Sequence, residues 1–127
     1  MPTMSNPKLV VQLASGTNQR KVTATVTVNF NTVEENMIKV LGLAPRLGCK
    51  VYGEDGGIFT GPDDLLFSYT TKTITKDGTY TFSGTVNKSV LDEDTIGNDE
   101  VYAKFALSTP SFPMSASAKS PTISGDF

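Results

Sequence analysis

The sequence predicts an all-β domain: an antiparallel β-sandwich of seven or eight strands, with a barrel as the second choice. Three observations lead there. Thr, Val, Ser and Gly are plentiful, a mixture that favours strands and turns over helices. Several stretches alternate apolar and polar residues with a period of two, the signature of a strand with one buried face. Turn signals rich in Gly, Asn and Asp recur between these stretches. The whole chain, 127 residues, is the size of one domain and can bury a core without staples.

KVTATVTVNF (21–30) is the clearest strand. Val22, Ala24, Val26, Val28 and Phe30 fall on one face, and Thr23, Thr25, Thr27 and Asn29 on the other. KLVVQL (8–13) precedes it as a second strand, with SGTN as the turn between them. TVEENMIKVLGL is ambiguous. Its first half suits one helical turn with Thr32 as N-cap and Glu35 closing a capping box, while MIKVLGL looks extended. LGCKVYG (47–53) is a further strand, with Cys49 in phase with Leu47 and Val51 and therefore expected to be a small buried hydrophobe.

GEDGGIFTGPDD is a loop on composition. LLFSYTTKTIT follows, and KDG (76–78) is a hairpin signal from which TYTFSGTV (79–86) is expected to run back. In VYAKFALS (101–108), Val101, Ala103, Phe105 and Leu107 share a face. The tail carries three of the seven prolines and suggests one edge strand around Met114–Ala118.

Charge narrows the function classes. Net charge is −2, and Lys and Arg are scattered singly apart from Arg20-Lys21, so no basic stripe exists to meet nucleic acid. Cys49 is the only cysteine, which rules out an intrachain disulfide. MPTMSNPK has no apolar run of signal-peptide length, and no stretch approaches a membrane span; a soluble, cytoplasmic protein is the expectation. With no His anywhere, most hydrolase schemes lack a general base, and the chain is expected not to be an enzyme. Asp63 and Asp94 imitate a glycosidase carboxylate pair, but no cleft is evident to hold a sugar. Asn87-Lys88-Ser89 is a glycosylation sequon by pattern.

The acidic residues are not spread evenly. Nine of the thirteen fall in two short segments: Glu54, Asp55, Asp63 and Asp64 in GEDGGIFTGPDD, and Asp92, Glu93, Asp94, Asp99 and Glu100 in DEDTIGNDE. Each segment has an acidic group, a Gly-containing spacer, a second acidic pair and then a strand. If 65–75 and 79–90 form a hairpin with KDG at its far end, both segments emerge at one pole of the sandwich. Carboxylates and glycine-freed carbonyls converging there suit Ca²⁺, which takes six to eight oxygens; Mg²⁺ prefers fewer protein ligands, and zinc wants His or Cys. The expected ligands are Asp55, Asp63, Asp94 and Asp99, with Glu54, Asp64, Asp92 and Glu100 as secondary ones. Acidic turns also serve solubility and discourage edge pairing, so a purely solvated reading stands beside the metal one.

DTIGNDEVYAKFAL resembles the first calcium loop of C2 domains, in which an Asp, a Gly, a second Asp and a Tyr lead into a strand. Asp94, Gly97, Asp99, Tyr102 and Lys104 match that order, over residues 94–107. The loop sits late in the chain, Glu100-Val101 replaces the usual proline, and ASGTNQRK has no acid. The resemblance implies an eight-stranded C2-like sandwich that binds Ca²⁺ and then an anionic membrane or a protein; an Ig-like sandwich fits the strand pattern equally. Two functions follow. One is a non-enzymatic, Ca²⁺-stabilised recognition module for a protein, glycan or lipid head group. The other is a structural or assembly subunit of a coat, fibre or secretion system, without metal and able to form a homo-oligomer.

Overall fold

In a computed structural model, residues 2–13, 18–53, 64–91, 99–110 and 112–125 are described. Their order is β1 (Thr3–Leu13), β2 (Gln19–Asn29), α1 (Thr32–Leu41), β3 (Arg46–Gly53), β4 (Asp64–Ser68), β5 (Lys72–Thr73), β6 (Gly78–Asn87), α2 (Lys88–Leu91), β7 (Asp99–Thr109), β8 (Phe112–Lys119) and β9 (Ile123–Gly125). They form two antiparallel sheets rather than a closed barrel. One has the order β1-β2-β6; the other has β4-β3-β7-β8, with β5 also on β3 and β9 also on β7. The sandwich expectation holds, with nine described strands instead of seven or eight.

The core lies between the layers, where alternation put it. Val22, Ala24, Val26 and Val28 of β2 are fully buried, and Leu47, Cys49 and Val51 of β3 face them with Val101, Ala103, Phe105 and Leu107 of β7. Aromatic rings bridge the layers: Phe82 of β6 lies 6.3 Å from Phe105 and 5.6 Å from Tyr69. The Tyr69 hydroxyl donates to the Val22 carbonyl at 2.7 Å, tying the β4 side of one sheet to β2 of the other. Isolated backbone bonds fill the breaks at the sheet edges. Ser120 N–H donates to Ala103 O at 2.8 Å between β8 and β9, and Tyr69 N–H donates to Cys49 O at 3.0 Å after β4.

Two local expectations are corrected. TVEENMIKVL is a continuous helix, and its cap lies one residue earlier than expected. The Asn31 side chain accepts from Glu34 N–H and the Glu34 carboxylate accepts from Asn31 N–H, both at 2.8 Å. Gly42, in the left-handed region at φ 63°, ends the helix. Asn31-x-x-Glu34 and Thr32-x-x-Glu35 are overlapping boxes, and the sequence does not choose between them. The fold does, because Phe30 is buried at the end of β2 and its N–H is held by the Asp77 carboxylate at 2.6 Å.

The second correction concerns KDG. The strand after it does not return to its predecessor. β4 and β5 pair with β3, whereas β6 pairs with β2, so the chain changes sheets at residues 74–77. Ile74, nearly fully buried, pins that crossing by donating its N–H to Pro45 O at 2.9 Å.

Candidate metal centre at the acidic pole

Loss of the hairpin leaves the polar argument intact. β3 lies between β4 and β7, and one residue links both neighbours: Gly53 is opposite Asp64 on β4 and opposite Val101 on β7. The strands that follow the two acidic segments therefore start at the same end of the same sheet. α2, anchored by the fully buried Leu91, reaches that end beside β4. The partners Gln19↔Asn87 and Asp99↔Gly125 mark the same pole, while α1, Gly78 and Arg46 mark the opposite one.

Of the expected ligands, Asp64 opens β4 and Asp99 opens β7, and Glu100 is exposed on β7. Asp55, Asp63, Asp94, Glu54 and Asp92 lie outside the described residues. Adjacent strands are about 4.8 Å apart, so Asp64 and Val101 are separated by about 10 Å across β3. Calcium takes six to eight oxygens, so a site at this pole would also draw on residues 54–63 and 92–98, which lie outside the described residues. Among the described residues, no three His, Cys, Asp or Glu side chains are grouped as a metal site.

Beside the pole, Tyr52 and Tyr102 face each other across β3 and β7, with ring centroids 5.5 Å apart and the rings stacked. The Lys119 ammonium sits 4.0 Å above the Tyr102 ring. Tyr102 is buried and Tyr52 half-buried.

Cys49 is 1% exposed, and burial pushes its thiol up to about 12, so it stays protonated near neutrality. Burial also raises Tyr69, helped by the charge that Cys49 would carry if ionised. Tyr80 is raised by burial and then by Asp77. At the other pole, α1 and the 75–77 crossing enclose a cleft lined by Glu35, Lys39, Lys76 and Asp77 around Ile38 and Leu43.

Sequence reading missed two surfaces. Val33, Val40 and Leu41 of α1 are 64%, 81% and 58% exposed, forming an apolar stripe along the helix with half-buried Met37. Reading MIKVLGL as extended hid it. The other is the outer edge of β6, whose signal, ten residues without charge or proline, stood in GTYTFSGTVN.

No family model matches the chain, and no curated protein matches it. Solved structures do. The chain is similar to part of a β-glucuronidase from Parabacteroides merdae with glycerol in its active site, at a TM-score of 0.54 and 12% identity over 93% of this chain. A second structure of that enzyme matches at 0.53 and 12%, again over 93% of this chain. β-Glucosidase 3B from Thermotoga neapolitana, in complex with α-D-glucose, matches at 0.46 and 10% over 98% of this chain and 16% of its own. The chain spans only 13% of the glucuronidase. At such identity the likeness establishes the sandwich fold. No helix among the described residues is long and apolar enough to cross a membrane.

Proposed function

We propose that this protein is a non-enzymatic recognition module, with a C2-like use of its acidic pole: segments 53–64 and 92–100 bind Ca²⁺ and present a surface to a protein, glycan or lipid head group. The observation that carries the reading is the position of Gly53, flanked by Asp64 on one side and Val101 on the other. That register gathers the ends of both acidic segments at one pole, where unneutralised carboxylates about 4 Å apart repel by about 1 to 4 kcal/mol per pair. A bound cation removes the repulsion. A chain without His, whose one thiol is buried, suits binding better than catalysis, and the glucuronidase match covers a small part of a much longer enzyme.

Unfolding in CaCl₂, MgCl₂ and EGTA tests the reading. Calcium at a hundred times its dissociation constant adds about 2.7 kcal/mol, which raises the melting temperature of a domain this size by about 10 °C. Asp94→Asn with Asp99→Asn removes the shift. An unchanged melting temperature in millimolar calcium, or a shift that survives the double variant, defeats it.

The apolar stripe of α1 favours a second reading, a structural or assembly subunit with no metal. Val33, Val40 and Leu41 expose apolar surface on a helix whose Ile38 already faces the core. Under that reading the acidic segments are solvated, and calcium leaves the melt unchanged.

A further inference from the structure

The two sheets have four outer edges, and three are guarded. β1 carries Pro7, which has no N–H, a register shift between Ser5 and Lys8, and Asn6 in the left-handed region at φ 50°. The β4–β5 edge is made of a five-residue and a two-residue strand, with a register shift at Val51/Tyr52 on β3 and a lysine in β5. The edge formed by β8 and β9 has Pro113, Lys119 and a register shift between Leu107 and Thr109. Proline, charge, bulges and shortness are the devices that keep a strand edge from pairing with another chain.

β6 has none of them. Its ten residues, GTYTFSGTVN, pair with β2 in unbroken register from Val28↔Gly78 to Gln19↔Asn87. Among the described residues, no strand pairs with its outer side. The hydrogen-bond phase is fixed at the end of the ladder, where Lys88 N–H donates to Asn18 O at 2.7 Å. In an antiparallel pair, bonded and non-bonded positions alternate, so the even-numbered residues of β6 bond β2. Thr79, Thr81, Ser83, Thr85 and Asn87 therefore direct their N–H and C=O groups outward, and all five are exposed. Tyr69, Thr70 and Lys72 line a notch beside Phe82 and Ser83, with the Lys72 ammonium, the one charge among these lining residues, 5.3 Å from the Phe82 ring.

We infer that the β6 edge is a homodimer interface, pairing antiparallel with β6 of a second copy about a two-fold axis at Ser83. The strand is self-complementary about that residue. Ser83 meets Ser83, Thr81 meets Thr85 and Thr79 meets Asn87 of the other copy, all at positions whose backbone groups point across the edge. That arrangement makes about ten backbone hydrogen bonds, two for each outward-facing pair. No pair opposes like charges. The hydroxyl pairs have a counterpart within the molecule, where Thr27 and Thr79 hydroxyls lie 3.0 Å apart across β2 and β6. On the other face, Phe82 meets Gly84 and Tyr80 meets Val86, placing a large side chain against a small one. The product is one six-stranded sheet, β1-β2-β6-β6-β2-β1. This inference does not rest on calcium binding.

Sedimentation equilibrium of the full chain across two decades of concentration tests it. Wild type shifts from monomer to twice the monomer mass. Ser83→Lys places two ammonium groups beside the axis and weakens dimerisation at least tenfold; Ser83→Pro, which removes an outward N–H and none of those bonding β2, abolishes it. Circular dichroism melts establish that each variant is folded, and either variant alone suffices. Amide exchange by NMR supplies an independent reading: Thr79, Thr81, Ser83 and Thr85 slow as concentration rises, while their even-numbered neighbours do not change. A wild type that stays monomeric overturns the proposal. So does a folded Ser83→Pro that dimerises like wild type, a larger open assembly, or exchange without the alternation.

Discussion

Alkaline unfolding isolates one buried group. Cys49 sits between Leu47 and Val51 in the centre of the core, and burial pushes its thiol from 9.0 up to about 12. The unfolded chain loses that proton first, so the folded state holds more protons between the two values and stability falls as pH rises. The contribution is fully present below pH 9. Above that it declines, approaching about 1.4 kcal/mol per pH unit once the unfolded thiol is fully ionised. Tyr69, also raised by burial, adds a decline that begins above its ordinary 10.0, so the window from pH 9 to 10 belongs mainly to the thiol. Urea unfolding of wild type and Cys49→Ala, followed by far-ultraviolet circular dichroism at half-unit pH steps, reads the difference directly. The variant starts lower because it has lost packing volume, but its limb is flatter by about 1 kcal/mol between pH 9 and 10. Parallel limbs for the two proteins between pH 9 and 10 would refute the assignment.

Two further perturbations probe the helix pole. Asp77→Ala leaves the Phe30 N–H without its carboxylate partner and costs about 1.5–3 kcal/mol in urea unfolding, whereas Asp77→Asn, which keeps an acceptor oxygen, loses less than half of that; equal losses would mean that the 2.6 Å bond is not what matters. Asn31→Ala removes one side of the capping box and costs about 1 kcal/mol, while Thr32→Ala costs only a few tenths; the reverse order would return the cap to Thr32.

Strand identity was legible wherever one face is buried and the other wet. The period in KVTATVTVNF and LGCKVYG named the inward residues correctly, Cys49 among them, because a one-residue error would have turned every apolar side chain outward. The helix was harder to read. Ile38 and Glu34 of α1 are buried while Val33, Val40 and Leu41 are exposed, so its apolar residues do not form one core-facing stripe. Pairing was harder again. KDG correctly marks a reversal of direction, but local turn chemistry does not say which strand receives the returning chain. Here Ile74 and Asp77 hold the crossing to Pro45 and Phe30 and so deliver β6 to the other sheet. The shared acidic pole was still predictable, because traversing the sandwich twice brings the chain back to the same end whichever sheet it uses. Asp64 and Asp99 could be located by that parity, whereas Asp55, Asp63 and Asp94 depend on loop geometry that no periodicity encodes.

The register also separates the two ends of the described chain. Thr3 is opposite Asn29 at the helix end, and Gly125 is opposite Asp99 at the acidic end, so they stand a strand's length apart, about 33 Å over eleven residues. Attachment chemistry inherits that polarity. A sensor surface that captures the protein through its amino-terminal side leaves the carboxylate-rich tip facing solution, whereas capture through the carboxyl-terminal side turns the tip toward the support.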